Sequence, residues 1–164
     1  MLHIIAHRGN LNGANAEKEN HPDYIKIAIE EGFGVEVDLW ADRNEKLGWN
    51  LFLGHDERQY QITRKFLTHL PKFAIFIHCK NVTALEWCKW IGIENYFFHN
   101  TDDVTLTSSG YFWTYPNSKI TLIPNHSIPV IVSKENLLWE FEQVKNCYGI
   151  CTDDAYYYKS KFNS

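Results

Sequence analysis

Three short apolar runs, each closed or interrupted by a polar cluster, constrain this chain most. Residues 2–6 lead into His7-Arg8-Gly9-Asn10, residues 35–39 enclose Glu36 and Asp38, and residues 51–53 lead into Gly54-His55-Asp56. Short apolar runs bounded by turn residues read as buried strands. Helical periods separate them. Residues 22–31 carry Ile25, Ala28 and Ile29 on one stripe, with Asn20 or His21 as cap, Pro22 in the first turn and Gly32 as stop. Residues 81–91 repeat the pattern, with Asn81 as cap, Leu85, Cys88 and Ile91 inward, and Gly92 beyond.

Strands alternating with helices predict a parallel α/β sheet. Further strands are expected at 73–80, 96–99, 111–115, 120–123 and 148–152. A short helix is expected within 61–70, ended by Pro71. A last helix over 133–144 starts at Ser133 and turns Leu137, Leu138, Phe141 and Val144 inward. Residues 102–110 and 124–129 read as loops, and 153–164 as a polar, tyrosine-rich tail. Counting strands 34–40 and 49–54 as barrel members gives eight, the number in a (β/α)8 barrel. Such barrels typically take ~250 residues, and this chain has 164. The expectation is therefore a compact, trimmed (β/α)8 TIM-type barrel, a single domain over 1–164, with loops replacing helices after the second, fifth and sixth strands. A doubly wound open sheet is the alternative.

Composition narrows the function classes. The net charge is −4 and no basic stripe occurs, which argues against a nucleic-acid partner. The four cysteines form no CxxC pair, so they read as free thiols rather than a zinc ribbon. No leader peptide or membrane-spanning run is visible, and a reducing cytoplasm is the simplest location. The oligomeric state is not legible.

In a parallel barrel, reactive groups gather at the C-terminal ends of the strands. His7, Glu36, Asp38 and His55 are expected at that rim, together with His78 and Lys80 from the strand over 73–80. Glu36 and Asp38 share one face of their strand. Two ionised carboxylates buried side by side are costly, and a bound divalent cation removes that cost. A half-exposed strand with both groups solvated is the alternative; the company of His7, Arg8 and His55 favours the metal. Two histidines titrating near neutrality can serve as general acid and base. Arg8 offers a planar fork to phosphate oxygens, and Gly9 lets the chain turn behind it. His3, His21, His69 and His126 read as structural, while His99 points toward the same rim. Together these groups suit phosphodiester cleavage.

On His7-Arg8-Gly9, Glu19-Asn20, Glu36-x-Asp38 and His55-Asp56, the chain resembles the glycerophosphodiester phosphodiesterase family, within the phosphatidylinositol-phospholipase-C-like phosphodiesterase superfamily. Looser matches follow at Lys80, Trp113-Thr114 and Thr152-Asp153. The resemblance implies a (β/α)8 barrel and a divalent metal acting on a small phosphodiester substrate; the oxygen ligands Glu36 and Asp38 by themselves suit Mg²⁺ or Ca²⁺. It implies His7 and His55 as the acid/base pair, Glu36 and Asp38 as metal ligands, and Arg8, Lys80 and Trp113 as substrate contacts. The chain departs from the family at His78, which stands where the family carries a metal-binding glutamate two residues before the lysine. As a ligand there, His78 would tilt the site toward Mn²⁺ or Zn²⁺. The expected function is metal-dependent cleavage of a glycerophosphodiester or similar small phosphodiester by histidine acid/base catalysis; lyase-type release of a cyclic phosphate and non-catalytic binding of a phosphorylated ligand are the alternatives.

Overall fold

The computed structural model describes residues 2–44, 48–114, 125–132 and 141–162. In chain order the elements are β1 (His3–His7), α1 (Pro22–Glu30), β2 (Gly34–Asn44), β3 (Gly48–Leu53), β4 (Tyr60–Ile62), α2 (Arg64–His69), β5 (Ile75–Cys79) and α3 (Val82–Ile91). They continue with β6 (Tyr96–Phe97), β7 (Val104–Leu106), β8 (Phe112–Thr114), β9 (Ser127–Ile128), β10 (Val130–Ile131), α4 (Phe141–Val144), β11 (Gly149–Thr152) and α5 (Ala155–Phe162).

A parallel ladder runs β10-β11-β1-β2-β5-β6. The alternation along each strand divides the apolar residues between two faces. Val35, Val37, Leu39, Ile75, Ile77 and Cys79 pack outward with Ile25 and Ala28 of α1 and with Ala84, Trp87 and Cys88 of α3. Ile5, Phe76, Phe97, Trp113, Ile128, Val130 and Cys151 form a second, inner cluster. These inner residues come from β1, β5, β6, β8, β9, β10 and β11, so the strands curve around one interior. Near Tyr96 and Ser108 the wall is joined by isolated hydrogen bonds (Ser108 N to Tyr96 O, 2.8 Å), and no closed strand ladder forms among the described residues.

Several expectations need correction. The strand over 49–54 is not a barrel strand: β3 runs antiparallel to β2, from Leu39 opposite Leu53 to Asn44 opposite Gly48. A parallel neighbour needs a crossover of a dozen or more residues, and the turn between β2 and β3 is far shorter. Leu39 also pairs with Cys79, so β3 and β5 lie on opposite edges of β2. Residues 102–110 contain β7, which pairs with β8, and residues 124–129 contain β9. The tail folds as α5, which buries Ala155 and Tyr158 at helical spacing. The strand expected at 120–123 lies outside the described residues, as does most of the helix over 133–144, of which α4 is the final turn. No helix among the described residues is long and apolar enough to cross a membrane.

Candidate active site

Strand order decides which side chains meet. Glu36 and Asp38 point inward from β2 and are 2 % and 0 % exposed. The ladder sets Asp38 opposite His78 of β5, and Glu36 opposite His7 of β1. Three neighbouring strands therefore deliver four polar groups to one spot. The ligating atoms of Glu36, Asp38 and His78 lie within 4.8 Å of one another.

After β1 the chain enters a left-handed turn, with φ of 53° at Arg8 and 85° at Gly9. The turn brings the Arg8 backbone N–H to Glu36 Oε2 at 3.1 Å. It also sets Arg8 Nε 3.1 Å from Asp38 Oδ2 and lets Nη1 donate to Glu19 Oε2 at 2.9 Å. Asn20 is the other non-glycine described residue with positive φ, at 62°. Its side chain grips Asp38 twice, donating to Oδ2 at 3.0 Å and accepting from the Asp38 N–H at 2.9 Å. Backbone strain of this kind costs on the order of 1–3 kcal/mol per residue and persists where surrounding contacts hold it. Here it holds both ends of the carboxylate pair.

His7 Nδ1 donates to Asp153 Oδ1, 2.8 Å away, and its Nε2 lies 3.9 Å from Glu36 Oε2. Asn10 steadies Asp153 from the side, donating at 2.7 Å, and donates to Glu19 at 3.0 Å. Burial opposes the charged form of His7, but the hydrogen bond to Asp153 and the Glu36 charge outweigh it and raise the pKa above the ordinary histidine value. His55 moves the other way. Burial lowers its pKa, and Arg8 and Lys80 add to this against the opposing pull of Asp38. Burial also works to raise Asp38, yet His78, Arg8 and Lys80 hold it well below the usual carboxylate range. Glu36 is pushed up by burial and by Asp38 beside it.

His55 sits on the loop after β3, with its side chain 39 % exposed and Nδ1 2.7 Å from Asp56 Oδ1. The loop is tied to the site at its root: the Gly54 N–H donates to Asp38 O at 3.2 Å, and the Trp40 indole donates to Gly54 O at 2.7 Å. Gly54 has φ of 148°, and a Cβ there would stand 2.1 Å from Glu57 O, so only glycine fits. Arg58, on the same loop, lies over the Trp40 ring and clamps Asp42 at 3.0 and 2.8 Å.

Lys80 joins the cluster, with Nζ 3.5 Å from Asp38 Oδ1. The predicted residues His7, Arg8, Glu36, Asp38, His78 and Lys80 are thus brought together, with His55 at the edge. Trp113 is not. It is 3 % exposed and stacks on Phe97, ring centroids 4.5 Å apart, inside the inner cluster. Phe97 in turn stacks on His78 at 5.1 Å, so Trp113 stands two rings from the carboxylates. Asn10, Glu19, Asn20 and Asp153 carry no predicted role. Glu19-Asn20 and Asp153 lie within motifs that match the family, and Asp153 directly follows a parallel strand, where reactive groups gather. Nothing in the sequence marks Asn10.

The donor set fits a divalent cation. Two buried carboxylates and an imidazole share one face, and Asp38 Oδ1 has no aligned hydrogen-bond partner although His78 Nδ1 is only 2.9 Å away.

Neither a protein-family model nor a curated relative matches the chain. Among solved structures, a glycerophosphodiester phosphodiesterase from Thermotoga maritima is similar over 98 % of each chain, with a TM-score of 0.56 and 14 % sequence identity. The likeness shows a shared mixed α/β fold.

Proposed function

We propose that this chain is a metal-dependent phosphodiesterase that cleaves a glycerophosphodiester or similar small phosphodiester, acting as a single trimmed-barrel domain over 1–164. The observation that carries the reading is the gathering of the Asp153-bonded His7, Arg8, His78 and Lys80 around the buried Glu36–Asp38 pair, with the His55 loop tied to the same strand at Asp38 O. The opposite directions in which their surroundings push His7 and His55 agree with it. Groups whose environments push their pKa values apart are suited to acid and base roles. The structural likeness to the T. maritima glycerophosphodiester phosphodiesterase supports the same class.

Glu36, Asp38 and His78 would hold the metal. When bound, such an ion polarises a phosphoryl oxygen and offsets its charge. Arg8 and Lys80 supply fixed positive charge beside the phosphoryl position. His7 carries the proton that the leaving oxygen requires, and Asp153 keeps Nδ1 engaged so that Nε2 faces the site. His55, uncharged near neutral pH, takes a proton from the attacking water or substrate hydroxyl. A non-catalytic binder has no use for the His7–Asp153 dyad. Four free cysteines support a reducing, cytoplasmic location.

The test is turnover of a panel of glycerophosphodiesters by purified protein with Mg²⁺, Ca²⁺, Mn²⁺ or Zn²⁺ supplied. Phosphorus NMR of the products separates a monoester from a cyclic phosphate. Absence of turnover on every substrate with every metal overturns the reading.

A further inference from the structure

The backbone decides which nitrogen of His78 faces the carboxylates. His78 Nε2 lies 3.2 Å from the His99 carbonyl oxygen. A carbonyl oxygen only accepts, so Nε2 carries a hydrogen and donates it. Phe97 lies flat on the imidazole, 5.1 Å between centroids and 6° between planes, and fixes the ring's tilt. The other nitrogen, Nδ1, then faces Asp38 Oδ1 at 2.9 Å and Glu36 Oε1 at 3.9 Å. Asp38 Oδ2 is taken by Asn20 and Arg8, while Oδ1 lacks an aligned hydrogen-bond partner. Three donor atoms, one nitrogen and two oxygens, thus face a common point.

We propose that His78 makes this a one-imidazole, two-carboxylate centre for a first-row transition ion such as Mn²⁺, Fe²⁺ or Zn²⁺, in preference to Mg²⁺ or Ca²⁺. Imidazole nitrogen suits these ions, whereas Mg²⁺ and Ca²⁺ are hard cations that take oxygen ligands. A ligating histidine whose other N–H donates to a backbone carbonyl is oriented and made more basic by that bond, which is the arrangement at His99. The inference rests on the proposed function only in taking the three residues as a metal centre.

The test uses the whole chain, stripped of metal by a chelator. Calorimetric titrations with Zn²⁺, Mn²⁺ and Mg²⁺ are read alongside nitrogen-15 NMR of labelled histidines, with His78→Gln used to assign the His78 signals. The expected result is binding of Zn²⁺ and Mn²⁺ about tenfold or more tighter than Mg²⁺, with the His78 Nδ1 signal moving on Zn²⁺ addition while Nε2 keeps its hydrogen. His78→Glu restores an all-oxygen set and is expected to erase that preference. Equal affinity for Zn²⁺ and Mg²⁺ in the native chain, or a His78 Nδ1 signal unmoved by bound Zn²⁺, overturns the proposal. Turnover with Mg²⁺ at equal affinities would sink this inference and leave the phosphodiesterase reading standing. A Zn²⁺-selective His78 site in a chain that cleaves no phosphodiester would do the reverse.

Discussion

His7 and Asp153, 146 positions apart in the chain, act as one unit. Removing the carboxylate with Asp153→Asn takes away a contribution that raises the His7 pKa, so His7 loses its proton at lower pH. The alkaline limb of the pH–rate profile should move to lower pH, with kcat reduced on the order of 10²-fold at neutral pH. His55, lowered by burial and nearby cations, should set the acid limb below the ordinary histidine value, and His55→Ala should abolish that limb. Gly54→Ala meets both a left-handed φ and the Glu57 carbonyl. A loss of about 1–3 kcal/mol in urea unfolding is expected. At this scale the sequence was informative where a side chain's chemistry is rare in its setting: an acid on a buried strand, a histidine at a strand end. It was silent on the role of Asn10, because an asparagine in a polar loop looks the same whether it faces water or grips a carboxylate.

The most consequential element is the β2–β3 hairpin. Its existence as two strands is legible from their apolar content; its direction is not, because apolar periodicity says which residues are buried and nothing of the partner strand's sense. The short polar turn was the available clue, and connection length outweighs strand count. β7 was missed for a different reason: Val104 and Leu106 are exposed, so its alternation does not mark a buried face. The hairpin extends the inward face of β2 beyond Asp38 to Trp40 and Asp42, and these hold the His55 loop through Gly54 and Arg58. The Arg58–Asp42 pair is solvent-exposed and contributes little to stability. Arg58→Ala should therefore lower kcat severalfold while leaving the melting temperature nearly unchanged. Equal losses in both would assign Arg58 a merely structural role.

Across the whole molecule, the likeness to a phosphodiesterase structure covers 98 % of both chains, yet one of the eight strands expected for a barrel turns back on β2. A run of rings leads from the site through the inner cluster to the exposed His3. His78, Phe97, Trp113, Phe76, Tyr111, Tyr148 and His3 follow one another at centroid separations from 3.9 to 6.4 Å. Trp113 belongs to this column, so Trp113→Ala should cost about 3–5 kcal/mol of stability, and Trp113→Phe should keep KM unchanged. A residue walling the substrate would move KM instead. Among the described residues, the column starts beside the carboxylates, where His78 Nδ1 lies 2.9 Å from Asp38 Oδ1. Under the proposed function, substrate and product meet the same charged cluster at the strand ends. On that reading, a phosphomonoester held beside Arg8 and Lys80 occupies the place the next substrate needs, so its inhibition should be competitive, which initial-rate kinetics with added phosphomonoester checks.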